Sequence, residues 1–210
     1  VTHPEAGRPL VFSFQGPHGV GKSTLVLRLG TSFPQVRACT EFATHVERAK
    51  RPECVDRLDP ETFGHNQRLF IDWELTRWST FGPGEVVALD RGPEATEFYT
   101  IHYPLIRGTA WDPETVLAAE LTRLRICRST AILYLTASEE CIRSRAATDD
   151  RSRPTLDRWL TVFEPLAREW FGMLPHCTFL DTSLLSEAEV LARAVELMNS
   201  QGANLAAGGR

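Results

Sequence analysis

The chain has 210 residues, 42% hydrophobic and 24% charged, with a net charge of −4 at neutral pH. That length suits one domain with a full core, and the composition is that of a globular protein. The acidic balance argues against a nucleic-acid-coating protein, and no apolar run is long enough for a bilayer-spanning helix, so neither nucleic acid nor membrane is an expected partner.

Residues 1–9 contain no apolar core and do not read as a signal peptide. Residues 1–8 and 201–210 are expected to be loose ends around a single domain. The five cysteines, Cys39, Cys54, Cys127, Cys141 and Cys177, contain no C-x-x-C pair. They read as reduced thiols in a cytoplasmic protein, with no zinc site.

Residues 10–14 form an apolar run that predicts a first strand, and Leu25-Val26-Leu27-Arg28-Leu29 has helical spacing. Between them stands Gly16-Pro17-His18-Gly19-Val20-Gly21-Lys22-Ser23-Thr24. A G-x-x-x-x-G-K-[ST] spacing between strand and helix is the phosphate-binding P-loop, or Walker A motif. Its glycines let backbone N–H groups turn inward around an anion, where a Cβ would obstruct them. Gly16, His18, Gly19, Val20, Gly21, Lys22, Ser23 and Thr24 are therefore the expected nucleotide-binding residues. Lys22 would reach the β- and γ-phosphates, and the Ser23 hydroxyl would ligate Mg²⁺.

Residues 36–40 predict a second strand ending at Glu41. Asp59-Pro60-Glu61 predicts a helix start, with Asp59 as N-cap, running to about residue 81. Gly82-Pro83-Gly84 stops it, and residues 86–89 are an apolar strand ending at Asp90-Arg91-Gly92-Pro93. Helices are expected from 93 to 106 and from Asp112-Pro113 onward, then a strand over 131–135. Thr136-Ala137-Ser138-Glu139 has capping-box spacing for the next helix. A polar, mobile lid is expected at about 143–154, then a helix carrying Trp159, Phe163, Leu166 and Trp170. Residues 177–180 form the last strand, and Ser186 to Glu189 caps the final helix. This alternation predicts an α/β fold, a five-stranded parallel sheet with helices on both faces, whose ligands bind beyond the carboxyl ends of the strands.

Those strand ends carry the candidate chemistry. Asp90 is either a Mg²⁺ ligand with Ser23 or a helix N-cap. Arg91 either points its planar fork at phosphate and substrate oxygens or pairs with a neighbouring acid. Glu41 is either a general base for an attacking hydroxyl or a solvated loop acid. Arg143, Arg145, Arg151 and Arg153 lie in the lid region. Arginines closing over a phosphoryl group stabilise its outer oxygens, and Arg151 and Arg153 are favoured for this because the other two fall on the preceding helix. Phe70, Trp73 and Tyr99 are candidates for holding a flat base, against the alternative that they pack in the core.

In these motifs the chain resembles the deoxynucleoside kinase and thymidylate kinase group of P-loop kinases. The loop at 16–23, Asp90-Arg91-Gly92-Pro93 and Arg151-Ser152-Arg153-Pro154 are similar to motifs of herpesvirus thymidine kinases. The resemblance implies ATP and Mg²⁺, with transfer of the γ-phosphoryl group to a 5′-hydroxyl or 5′-phosphate. It implies Glu41 as base or substrate anchor, Arg91 near the acceptor oxygen, and Arg151 and Arg153 as lid arginines. Dimers are common in such kinases, so a homodimer is an open expectation. The sequence departs from the group at Phe42, Thr40, His18 and Gly92. The first reading is a nucleoside kinase. A nucleoside monophosphate acceptor, with Arg77 and Arg107 for the second phosphate, is the alternative. Another hydroxyl compound such as an antibiotic, or an ATPase switch without acceptor, also remains.

Overall fold

Five short strands, β1 (Leu10–Gln15), β2 (Val36–Cys39), β3 (Val86–Asp90), β4 (Ala131–Thr136) and β5 (Cys177–Asp181), pair in parallel in the order β2-β3-β1-β4-β5 in the computed structural model. The structure describes residues 7–40, 59–147 and 156–206. The expected lid arginines Arg151 and Arg153, together with Glu41 and Cys54, lie outside them.

The helices are α1 (Lys22–Ser32), α2 (Pro60–Trp78), α3 (Pro93–Ile106), α4 (Pro113–Val116), α5 (Ala118–Leu124) and α6 (Glu139–Ala147), then α7 (Leu156–Arg158), α8 (Glu164–Gly172) and α9 (Glu187–Ser200). A π-helical stretch (Trp159–Phe163) joins α7 to α8. Its cause is local. Pro165 supplies no N–H and its ring would crowd the carbonyl four residues back, so the turn before it widens and the Glu164 N–H donates to Trp159 O.

The chain groups into two compact units. The sheet unit takes its described residues from the first 41 positions, Gly82–Arg91 and Ser129 onward. Every residue of β3 and β4 is buried, as expected for parallel strands covered on both faces. One face puts Phe12, Phe14, Ala88, Leu133 and Leu135 into a core with Val26 and Leu29 of α1 and Ala194 and Met198 of α9. Tyr134 points the other way, against Phe171 of α8 at 5.0 Å between ring centres. The second unit holds α2–α5, packed around Ile71, Ile101, Leu117, Leu121 and Leu124.

The local signals for helix starts act as read at Asp59, whose side chain accepts from Thr62 N at 2.9 Å, and at the Ser186–Glu189 capping box. Thr136 does not cap α6. It stays in the ladder opposite Asp181, and Ser138 caps instead, accepting from Cys141 N at 3.2 Å. Residues 143–147 of the expected lid continue α6. The expected loose end is also corrected over 201–206, where Ala203 and Leu205 enter the core and Asn199 brackets Leu205 with two hydrogen bonds. Cys39, Cys127, Cys141 and Cys177 form no disulfide with one another.

Gly16 passes very close to β4. Its φ is +127°, and a Cβ there would sit 2.1 Å from Leu135 O. Gly84 also has positive φ, +73°, but its Cβ direction is open. Gly16→Ala should therefore cost about 2–3 kcal/mol, from strain plus the backbone shift. Gly84→Ala should cost only about 1 kcal/mol of backbone strain. Urea denaturation midpoints measure both, and equal losses would contradict the close approach at Leu135.

Candidate phosphate and metal site

The site begins where β1 ends. Gly16, Gly19 and Gly21 all take positive φ, which turns the backbone between Gln15 and α1 through a tight loop. Gly21 is the N-cap of α1, with no side-chain capping bond and no acid in the first turn. Capping and charge thus leave the positive end of α1 for an anion. Val20 is buried in the core, so only its backbone is available to a phosphate. Lys22 is 6% exposed, and its Nζ donates to Pro17 O at 2.8 Å, which keeps the ammonium inside the loop. Ser23 and Thr24 are exposed at the same helix start. The His18 ring stands edge-on to Trp159, with centroids 5.4 Å apart.

Register brings the next carboxylate to this loop. Phe14 of β1 pairs with Asp90 of β3, and the Ser23 hydroxyl donates to Asp90 Oδ2. Asp90 is 2% exposed, and its Oδ1 is buried without a hydrogen-bond partner. The N-cap of α3 is Gly92, so the capping alternative for Asp90 falls away. A carboxylate and a hydroxyl side by side, with one carboxylate oxygen unsatisfied, fit Mg²⁺, which takes few protein ligands and completes its shell with phosphate and water. Among the described residues no group of three His, Cys, Asp or Glu side chains forms a richer metal site.

Arg91 follows at φ +59°, a region that non-glycine residues rarely occupy, and its N–H donates to Phe14 O at 3.1 Å. Backbone strain of this kind concentrates where a side chain must be aimed. Its guanidinium carbon lies 5.7 Å from the Trp159 ring centre.

The sequence reading did not single out the polar group beside the loop. Tyr134 of β4 donates to Glu164 Oε2 at 2.8 Å, and Arg168 donates to Glu164 Oε1 at 2.9 Å. Burial raises the Glu164 carboxyl above its ordinary range, opposed by the Tyr134 and Arg168 bonds and by the charge of Lys22. Burial, then the Glu164 charge, pushes the Tyr134 hydroxyl up, so it remains a donor. The only sequence signal was Glu164-Pro165 inside an aromatic helix.

The two described lid-region arginines have structural partners. Arg143 pairs with Glu139 and Asp157, and Arg145 donates to Thr182 Oγ1 at 3.1 Å and Thr182 O at 2.9 Å.

In the second unit, Arg77 lies over Trp73 at 4.4 Å and donates to Glu74 at 2.6 Å, while Tyr99 stacks on Tyr103 with ring centres 5.1 Å apart. Phe70 and Trp73 are half-buried on α2. Thr100 donates to Gln67 Oε1 at 3.0 Å, and Glu74, Glu94 and Glu97 are all buried. Two arginines, Arg125 and Arg128, hold Glu97, each at 2.6 Å. Burial raises the Glu74 carboxyl; Arg77 opposes this and the nearby Glu94 charge adds to it. Burial likewise pushes the Cys127 thiol up to about 11, with Glu74 and Glu94 adding to it, so this thiol is inert near neutral pH.

No protein-family model and no curated protein matches the chain. Among solved structures it is similar to thymidylate kinase from Candida albicans, with 18% identity, a TM-score of 0.64 and 93% of each chain covered. It is also similar to deoxyadenosine kinase from M. mycoides. The form with dCMP and a flexible dCDP gives 16% identity and a TM-score of 0.62, covering 90% of this chain and 98% of that one. The form with dATP gives 14% identity and a TM-score of 0.64, covering 89% and 99%. The chain thus has the fold of these P-loop kinases, a five-stranded parallel sheet with helices.

Because burial raises Glu74, the unfolded chain releases that proton at lower pH than the folded protein does. Its contribution to stability is therefore largest below the ordinary carboxylate range and declines as pH rises through the raised value. Glu74→Gln should flatten the fall in urea midpoint as pH rises above the ordinary carboxylate range. An unchanged slope in the variant would contradict the raised carboxyl.

Proposed function

We propose that the protein is an ATP- and Mg²⁺-dependent kinase that transfers the γ-phosphoryl group to the 5′-hydroxyl of a nucleoside or deoxynucleoside. The observation that carries this reading is the Ser23–Asp90 pair, with Asp90 Oδ1 unsatisfied, beside buried Lys22 at the open end of α1. Likeness in fold to a thymidylate kinase and a deoxyadenosine kinase supports a nucleoside or nucleotide acceptor.

Ser23 and Asp90 would hold Mg²⁺, which when bound neutralises charge on the β- and γ-phosphates. The loop backbone and Lys22 cradle those phosphates. Glu41 takes the proton from the acceptor hydroxyl as its oxygen bonds to the γ-phosphorus and the bridge to the β-phosphate breaks. Arg91, Arg151 and Arg153 stabilise the outer oxygens of the group in transfer, and Phe70, Trp73 and Tyr99 hold the base. Glu41, Arg151, Arg153, Phe70, Trp73 and Tyr99 have these roles from the sequence alone.

The cations named for a second phosphate favour a nucleoside over a monophosphate. Glu74 neutralises Arg77 at 2.6 Å, and Arg107 donates to Tyr103 Oη at 3.0 Å. A monophosphate would meet an Arg77 whose charge is already balanced by Glu74.

The deciding experiment is a screen of nucleosides, nucleotides and unrelated alcohols for ADP release with Mg-ATP. Nucleoside-dependent ADP release with a 5′-monophosphate product supports the proposal. Slow hydrolysis that no acceptor stimulates would overturn it. Lys22→Ala should abolish transfer. Glu41→Gln should lower kcat by about 10²-fold or more while ATP affinity holds within about threefold, read by steady-state kinetics and calorimetry. Normal turnover in that variant would remove Glu41 as the base.

A further inference from the structure

Trp159 stands where three parts of the sheet unit meet. It is 8% exposed and opens the π-helical stretch. Its ring lies 5.4 Å from that of His18, inside the phosphate loop, and 5.1 Å from Phe163, which it parallels within 3°. The third contact is the Arg91 guanidinium, 5.7 Å from the ring centre. Beyond its own helical stretch, the indole therefore meets the 16–23 loop at His18 and the residue that follows Asp90.

The local backbone aims this ring. A π turn is in effect one residue inserted into an α-helix, so it rotates the residues before it by about 100° relative to those after it. Pro165 forces the widened turn, and α8 is anchored by Phe171 against Tyr134. Without the insertion, an indole at this position would project from another side of the helix. The Arg91 backbone is held in the left-handed region with its N–H on Phe14 O, and its side chain carries several rotatable bonds. A ring face within about 6 Å of a guanidinium attracts it and restricts those rotations.

We propose that Trp159 is a positioning residue for phosphoryl transfer, holding the Arg91 guanidinium in register with the His18 end of the phosphate loop. The inference rests on the kinase reading above and assigns Trp159 no contact with substrate. Its effect falls on the chemical step, because Arg91 stabilises charge that grows during transfer, while ATP is held mainly by the loop backbone and Lys22.

The test is a double-mutant cycle in the full chain, using Trp159→Leu, Trp159→Phe, Arg91→Lys and the combined variants. Kinetics are read with Mg-ATP and the best nucleoside from the acceptor screen, and thermal melting checks folding. Trp159→Leu should lower kcat about tenfold while the KM for ATP moves by less than about threefold. Trp159→Phe should restore most of the rate, because it keeps a ring face. Adding Trp159→Leu to Arg91→Lys should cause no further loss, since the guanidinium that the indole orients is already gone.

Wild-type kcat in Trp159→Leu would overturn the inference, as would losses that multiply independently in the double variant. Should Trp159→Leu fail to fold, the cycle is run with Trp159→Met, which also removes the ring face, and a full multiplication of losses there likewise overturns the inference. If the wild-type protein phosphorylates no nucleoside, the kinase reading fails and takes this inference with it. If the wild type turns over and Trp159→Leu matches it, this inference alone fails.

Discussion

Everything in the sheet unit follows from the register between β1 and β3. Pairing Phe14 with Asp90 ends both strands at the same level, so the β1 loop and the β3 carboxylate emerge together and Ser23 meets Asp90. A shift of one residue would turn Asp90 to the opposite face of the sheet and separate the pair. Burial of both strands makes such a slip costly, because it would exchange core side chains such as Phe12 and Ala88 for their neighbours. The position of β1 in the strand order adds the second constraint. With β3 on one side and β4 on the other, its loop opens at the point where the connections reverse, the usual ligand crevice of parallel sheets.

The close pass of Gly16 to Leu135 O shows the same economy on the β4 side. Only a residue without Cβ lets the loop fold this tightly onto the neighbouring strand. That brings Lys22 and the start of α1 over the sheet end, with the Tyr134–Glu164–Arg168 group beneath. Glu164 is a buried acid whose ionised form is opposed by burial and supported by Lys22, Arg168 and Tyr134. Fixed charges and dipoles around the 16–23 loop are thus in place within the folded protein.

Much of this was legible in the sequence because the signals were local. The strand–glycine loop–helix pattern, the Asp59-Pro60 start, the Pro93 start and the Ser186–Glu189 box each depend on neighbours within a few residues. The errors arose where a local pattern met a tertiary demand. Thr136 carries a capping signature, but pairing with β5 uses that residue in the ladder, and Ser138 caps α6. Trp159 was read with ordinary helical periodicity, and the π turn before Pro165 breaks that period. Buried acids such as Glu74 and Glu164 are invisible to a pattern that assigns charges to solvent, because their arginine partners are what allow burial. Of the expected catalytic residues, Lys22 and Arg91 are described, and of the expected metal ligands both Ser23 and Asp90; Lys22, Ser23 and Asp90 meet at the same loop.

The central claim is that Ser23 and Asp90 together form the metal end of a triphosphate site built on Lys22. The most direct measurement is a crystal structure of the protein with Mg²⁺ and a non-hydrolysable β,γ-imido analogue of ATP. The account predicts the terminal phosphates inside the 16–23 loop, Lys22 on them, and Mg²⁺ between them and the Ser23 and Asp90 oxygens, directly or through water. An analogue bound away from the loop, or a metal with Asp90 still closed on Ser23 and facing neither ion nor its water, would contradict it.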